Sequence, residues 1–249
     1  YVGIAKNFAS QGGHFESIRP LALPALLTPL QFLPTSSLTS GRIFSLLLIL
    51  TLLTAIYFTT KKAFNETTAF WTTFIYAASV STFFNAGLIL TDLTAYSLIF
   101  LATLLTYQKR YFYSGLMTGL AFLFKFPAPL ILIPLAILTL TRKNKLSNLS
   151  KLALGSILTA TPYFIFNLMK HGSNFLQPLL DASALIEKES WVYANGTLLR
   201  YLAHLTFTEI SFILAIISSF YLWKNHKQQL FYFASPAIIF LTYFIVRVP

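Results

Sequence analysis

Cysteine is absent from this 249-residue chain. That excludes disulfides, thiolate metal sites and a cysteine nucleophile. Charge is scarce as well: only 10% of residues are Asp, Glu, Lys or Arg, against about a quarter in ordinary soluble domains. Acids are the scarcest, with 7 Asp and Glu against 18 Lys and Arg. No His and acid pair has zinc-ligand spacing, no G-x-S-x-G occurs, and no Walker loop occurs. Readings as a soluble-type hydrolase or a nucleotide-binding domain therefore have no support. Apolar sequence is what remains: 56% of the chain is hydrophobic and its mean hydropathy is +0.68. The fold class expected is all-α, a polytopic membrane helical bundle.

A net charge of +11 could suggest nucleic acid. The distribution argues against it, because Lys and Arg cluster in short loops between apolar runs, which is membrane-topology charge.

A spanning helix needs about 20 apolar residues. Runs at 43–60, 68–87, 88–107, 152–169, 205–223 and 230–248 qualify or nearly do. Between Arg110 and Arg142 the pattern differs. "YFYSGLMTGLAFLF" (111–124) and "LILIPLAILTLT" (130–141) flank "KFPAP". At 1.5 Å per residue neither arm crosses a hydrocarbon core of about 30 Å, and Pro127 and Pro129 favour a break. The pattern predicts a re-entrant pair of half-helices; one long kinked helix is the alternative. With "KK" (61–62) placed in the cytoplasm, re-entry puts "QKR" (108–110), 142–151 and "KNHK" (224–227) inside as well. Inner loops then hold ten basic residues and one acid, Glu66, against seven and four outside. Asp92 falls at the outer end of its helix. The first 42 residues lie outside, and prolines at 20, 24, 29 and 34 leave room only for a short interfacial helix broken by turns. The polar stretch 170–200 is also outside and carries a glycosylation sequon, Asn195-Gly196-Thr197.

Three residues are the main candidates for chemistry. Asp92 is an acid at the edge of an apolar run and can bind a hydroxyl, a cation or a metal; as a purely structural group it would cap a helix. Lys125 sits at the half-helix break, where chain must be buried in protein or line a cavity, and can hold a phosphate; otherwise its stem snorkels to an interface. Arg19, held extended before Pro20, can fork onto a phosphate or meet lipid headgroups. Glu209 and His204 mark an interface or a weaker site, and His14 and His171 are isolated.

The order of these features resembles the GT-C superfamily of polytopic glycosyltransferases. The dolichyl-phosphate-mannose-protein mannosyltransferase group and its bacterial aminoarabinose-transferase relatives (glycosyltransferase family 39-like) look nearest. "YVGIAKNFASQGG" looks like the stretch after the family's acidic first loop, and "RPLALPALL" like its basic-Pro segment. "GRIFSLLLIL", "LILTDLTAYSLIFLATLL" and "YFYSGLMTGLAFLFKFPAPLILIPLAIL" are similar to the helices that follow. The resemblance implies transfer of a sugar, mannose being the family's suggestion. The donor is a polyprenyl-phosphate carrier, and the acceptor is a protein, lipid or glycan hydroxyl at the outer or lumenal face. It implies Asp92 as the catalytic acid lining the site, and Arg19 and Lys125 beside the donor phosphate. No cofactor is required by it, a divalent cation at Asp92 is compatible with it, and nucleic acid is no partner. It also implies a single transmembrane domain over 1–249, a fragment lacking the first helix, the acidic loop with the general base before Tyr1, and a C-terminal part. Glu16 is a poor substitute for that base. A transporter or flippase is the rival reading, because broken helices and intramembrane charges serve transport too; no internal repeat supports it. A non-catalytic scaffold subunit is the third.

Overall fold

The computed structural model describes residues 2–10, 20, 22–79, 82, 88–89, 91–181 and the single positions 217, 220, 221, 223 and 224. Among the described residues every regular element is helical. We number the α-helices α1 (Val2–Ala9), α2 (Ala22–Leu27), α3 (Ser37–Ala63), α4 (Glu66–Ala78), α5 (Asp92–Tyr107), α6 (Tyr111–Phe124), α7 (Leu132–Leu140) and α8 (Lys145–His171). Short 3-10 turns follow at Pro29–Phe32, Ala128–Ile131 and Gly172–Asn174. The expected spans at 205–223 and 230–248, and the sequon, lie outside the described residues.

Among the described residues, two helices are long and apolar enough to cross a membrane. Each of α3 and α8 has 27 residues, about 40 Å at 1.5 Å per residue. Both exceed the runs expected at 43–60 and 152–169. Ser36 starts α3, its hydroxyl accepting the Thr39 N–H at 3.2 Å. Gly172, at φ 57°, ends α8 in a backbone region that suits glycine. Leu46, Leu47 and Leu50 on α3, and Leu154, Ile157 and Leu158 on α8, are exposed. Such faces are liabilities in water and the natural outer surface of a bundle in lipid. By contrast α5 is buried over most of its surface: Ala95, Leu98, Ile99, Leu101, Ala102 and Leu104 all belong to the core. It is the central helix.

Two expected spans differ in the structure. Within the run 68–87, α4 ends at Ala78, where Ser79 turns extended, and 80, 81 and 83–87 lie outside the described residues. The Ser79 hydroxyl accepts the Thr82 N–H at 3.2 Å, a capping bond that competes with continuing the helix. The run 88–107 becomes helical only at Asp92. Asp92 therefore opens α5 instead of lying inside it, where the helix dipole favours a negative charge.

Helix directions follow from the contacts. Gln108, after α5, donates to Thr59 O of α3 at 2.7 Å, and Tyr107 stacks on Phe64 at 5.2 Å. A Cβ on Gly41, near the start of α3, would lie 2.6 Å from Ile89 Cδ1, just before α5. The two starts meet and the two ends meet, so α3 and α5 are parallel. Ser114 of α6 donates to Ala102 O at 2.8 Å and shares a 2.7 Å bond with Thr106, while Lys125 meets Asp92; α5 and α6 are antiparallel.

α6 and α8, however, run parallel. Ser156 Oγ donates to Gly115 O at 3.2 Å, Thr159 Oγ1 to Leu116 O at 3.3 Å, and Phe122 stacks on Phe164 at 5.6 Å. Glycines make the approach possible. A Cβ on Gly115 would overlap the Leu152 carbonyl oxygen, one on Gly119 the Thr159 hydroxyl, and one on Gly155 the Phe112 carbonyl oxygen. This is the small-residue packing of membrane helices, in which backbones approach and hydroxyls bond across.

Parallel α6 and α8 require that the chain between them return to the end where α6 began. The 14 residues of α6 rise about 21 Å; the four 3-10 residues and nine of α7 descend about 22 Å. The expected re-entrant pair is present, broken at Lys125–Pro127, and a single kinked helix is excluded. Lys61, Lys62, Lys109, Arg110, Arg142, Lys143 and Lys145 thereby gather at one end of the bundle. Asp92 and Lys125 lie at the other. The Pro-rich segment forms only α2 and the 3-10 turn Pro29–Phe32, as expected; Leu23 and Leu27 bury in the same core as Ala5, Leu98 and Phe124.

Candidate functional site

The central pair is built by two helix ends. α6 stops at Lys125, whose backbone is extended (φ −152°, ψ 115°) and whose N–H still donates to Ala121 O at 2.8 Å. Pro127, two residues on, blocks continuation. A lysine at a helix C-terminus and an aspartate at a helix N-terminus each face the favourable pole of their helix dipole. Because α5 and α6 are antiparallel neighbours, these two poles lie side by side. The Lys125 ammonium forms an ion pair with Asp92 across 33 residues of sequence.

Tyr96 completes the cluster. It stands four residues after Asp92 on α5, one turn along the same face. Lys125 Nζ donates to the Tyr96 hydroxyl at 3.3 Å and lies 5.0 Å from the ring centroid, a cation–π distance. An ammonium has three donors. Two are directed at Asp92 and Tyr96, which leaves one for an incoming anion.

The cluster is accessible. The Lys125 side chain is 28% exposed and that of Asp92 43%. A pair this open is worth roughly 1 kcal/mol or less net, because water already solvates both charges. A phosphate can therefore share Lys125, and a hydroxyl can share Asp92, at small cost. A second cation, Arg42, is exposed near the start of α3 at the same end of the bundle.

Of the three expected site residues, Asp92 and Lys125 are brought together; Arg19 lies outside the described residues. Glu209, His204, His14 and Glu16 lie outside them too. His171 is the last residue of α8, at the ion-pair end. Tyr96 went unnoticed in the sequence, although its i+4 spacing from an acid in an apolar run was a usable signal. Among the described residues no three His, Asp or Glu side chains gather as a metal set.

The sequence model of the family described as dolichyl-phosphate-mannose-protein mannosyltransferase matches residues 19–169, more than half of the chain. Arg19, Asp92 and Lys125 all fall inside that match, and the stretch 1–13 falls before it. No curated protein and no solved structure matches the chain. Membership favours glycosyltransferase-type activity in a membrane over transport. A helical membrane bundle, a charged pair at the mouth of a re-entrant loop and a match across the bundle agree: this chain belongs to the dolichyl-phosphate-mannose-protein mannosyltransferase family.

Proposed function

We propose that the protein transfers a sugar from a polyprenyl-phosphate carrier to a hydroxyl acceptor at the extracytoplasmic or lumenal face of the membrane. The observation that carries this reading is the meeting of Asp92 and Lys125 at the end of the bundle opposite the seven clustered cations. Cations concentrate on the cytoplasmic side of multi-pass proteins, so the ion-pair end faces outward. A lipid carrier keeps its tail in the bilayer and brings its phosphate to that level.

Lys125 binds the donor phosphate, with Arg19 as its second cation. Inverting transfer forms a bond from the acceptor oxygen to the sugar's anomeric carbon while the bond from that carbon to the phosphate oxygen breaks. The electron pair leaves with the phosphate, and Lys125 neutralises the charge that develops there. Asp92 accepts a hydrogen bond from a sugar or acceptor hydroxyl and fixes its position. The acceptor proton passes to a carboxylate base. The family's own description supplies mannose as the sugar and a protein as the acceptor.

The test uses the full-length protein in lipid vesicles with a labelled polyprenyl-phosphate sugar. Asp92→Asn is expected to abolish transfer of label while the protein still inserts and unfolds at its usual temperature. Unchanged turnover in that variant would remove Asp92 from the chemistry.

A further inference from the structure

Beyond the ion pair, the outer half of α8 carries an unexplained row of polar side chains. Tyr163, Asn167 and His171 recur every four residues, which places them on one face of the helix. Asn167 is 1% exposed and Tyr163 4%. Among the described residues, neither atom of the Asn167 amide has a hydrogen-bond partner, nor has the Tyr163 hydroxyl or His171 Nε2. The Tyr163 and Asn167 side chains adjoin without closing a bond of acceptable geometry. Buried polar groups are ordinarily satisfied, so four orphaned atoms in a row call for an explanation.

Their surroundings suggest one. The Phe122 and Phe126 rings pack against Tyr163 at 5.3 and 5.5 Å, and Phe164 adjoins both Phe122 and Phe175. Phe126 directly follows Lys125. The polar row therefore rises from an aromatic floor beside the re-entrant tip. It lies on the α8 flank of α6, whereas Asp92 and Tyr96 lie on the α5 flank.

The chemistry of the two flanks differs. Amide, phenol and imidazole offer neutral donors and acceptors, which suit hydroxyl groups. The aromatic floor suits the apolar face of a sugar ring, in the usual pattern of an apolar pocket with a few placed polar groups. We propose that Tyr163, Asn167 and His171 form a neutral subsite for a carbohydrate ring, separate from the phosphate-binding charge pair. This rests on the glycosyltransferase reading and assigns to it a second flank of the site.

The cysteine-free chain makes a direct test possible. Single Asn167→Cys and His171→Cys variants of the full chain in nanodiscs are labelled with a small maleimide, with Tyr96→Cys alongside. The probes are methyl α-mannopyranoside, its glucose and galactose counterparts, and a polyprenyl phosphate. At about ten times its dissociation constant, a bound glycoside slows labelling of either α8 cysteine about tenfold, since only the empty site reacts. Inorganic phosphate leaves those rates unchanged. Adding Asn167→Leu to His171→Cys is expected to remove the protection, which guards against misfolding of the Asn167→Cys variant itself. If no glycoside slows labelling at either position, or if neither cysteine can be labelled, the subsite is refuted. Protection of Tyr96→Cys, which adjoins Lys125 and keeps its ammonium, by polyprenyl phosphate would then still leave the charge pair's role standing; failure there as well would remove the phosphate site.

Discussion

Two lysine–carboxylate pairs occupy opposite ends of the bundle, and they are not equivalent. Lys61 and Glu66 meet at 3.1 Å across the turn from α3 to α4, five residues apart in sequence. Their side chains are 43% and 69% exposed, and Tyr57 also donates to Glu66 at 3.2 Å. The hydrogen bond from Lys61 holds the Glu66 carboxyl below the usual carboxylate range. Any two charges in so short a turn would find each other, so that contact carries no information about function. Lys125 and Asp92 meet only because α5 and α6 pack antiparallel and because Pro127 ends α6 where it does. Holding them there takes the whole fold. The difference shows why proximity alone is a weak indicator and why a pair assembled over a long stretch of chain, at the open end of a re-entrant loop, is a better one.

The sharpest way to break the comparison is to remove each lysine. Lys125→Met is expected to lower the transfer rate constant about 10²–10³-fold, the range seen when one donor to a developing anion is lost; a Lys61→Met control should transfer normally in the same radiolabel assay. Next in size is Gly115→Val. Its side chain would collide with the Leu152 backbone and push α6 off α8, at a cost of about 1–3 kcal/mol or more. A lowered thermal transition with falling transfer activity is expected, and the Lys61–Glu66 turn should remain intact by local cross-linking.

Tyr96→Phe is milder. It deletes one hydrogen bond to Lys125 and keeps the ring, so about 1 kcal/mol and about a fivefold fall in kcat/KM are expected. The smallest effect is Glu66→Gln, which should leave both transfer and the thermal transition unchanged within measurement error. A carboxyl whose folded pKa is depressed stabilises the fold above its unfolded pKa and loses that contribution as pH falls through the folded value. Any destabilisation on removing Glu66 should therefore be present at neutral pH and vanish in acid; a Glu66→Gln melting curve that departs more from the parent at low pH would contradict the assignment.

Much of this organisation was legible beforehand, for physical reasons. Apolar run length marks α3 and α8, and two prolines after Lys125 mark the re-entrant break. Loop charge sorted the ends of the bundle before the helix directions were known. Asp92 and Lys125 stood out as charges in apolar surroundings. The family resemblance put them at one site, but their direct ion pair was not legible, because it depends on which helices are neighbours. Nor were the ends of α4 and α5. Run length overestimates a helix wherever a serine such as Ser79 offers the backbone another partner, or an acid such as Asp92 suits a helix start. The α6–α8 seam was not legible either, because Gly115 and Gly119 sit in one run, their partners Gly155, Ser156 and Thr159 in another, and nothing local links them. The Tyr163–Asn167–His171 row was overlooked because its residues are individually unremarkable and become notable only when buried without partners.

The central claim is that Asp92 and Lys125 open to the side of the membrane opposite the basic loops. The most direct measurement is sidedness of labelling in the cysteine-free chain. Lys125→Cys and Lys143→Cys are each exposed to a membrane-impermeant maleimide in sealed vesicles of known orientation. The expected result is labelling of position 125 only from the extracytoplasmic side, and of position 143 only from the cytoplasmic side. Labelling of both positions from the same side would contradict the proposed site.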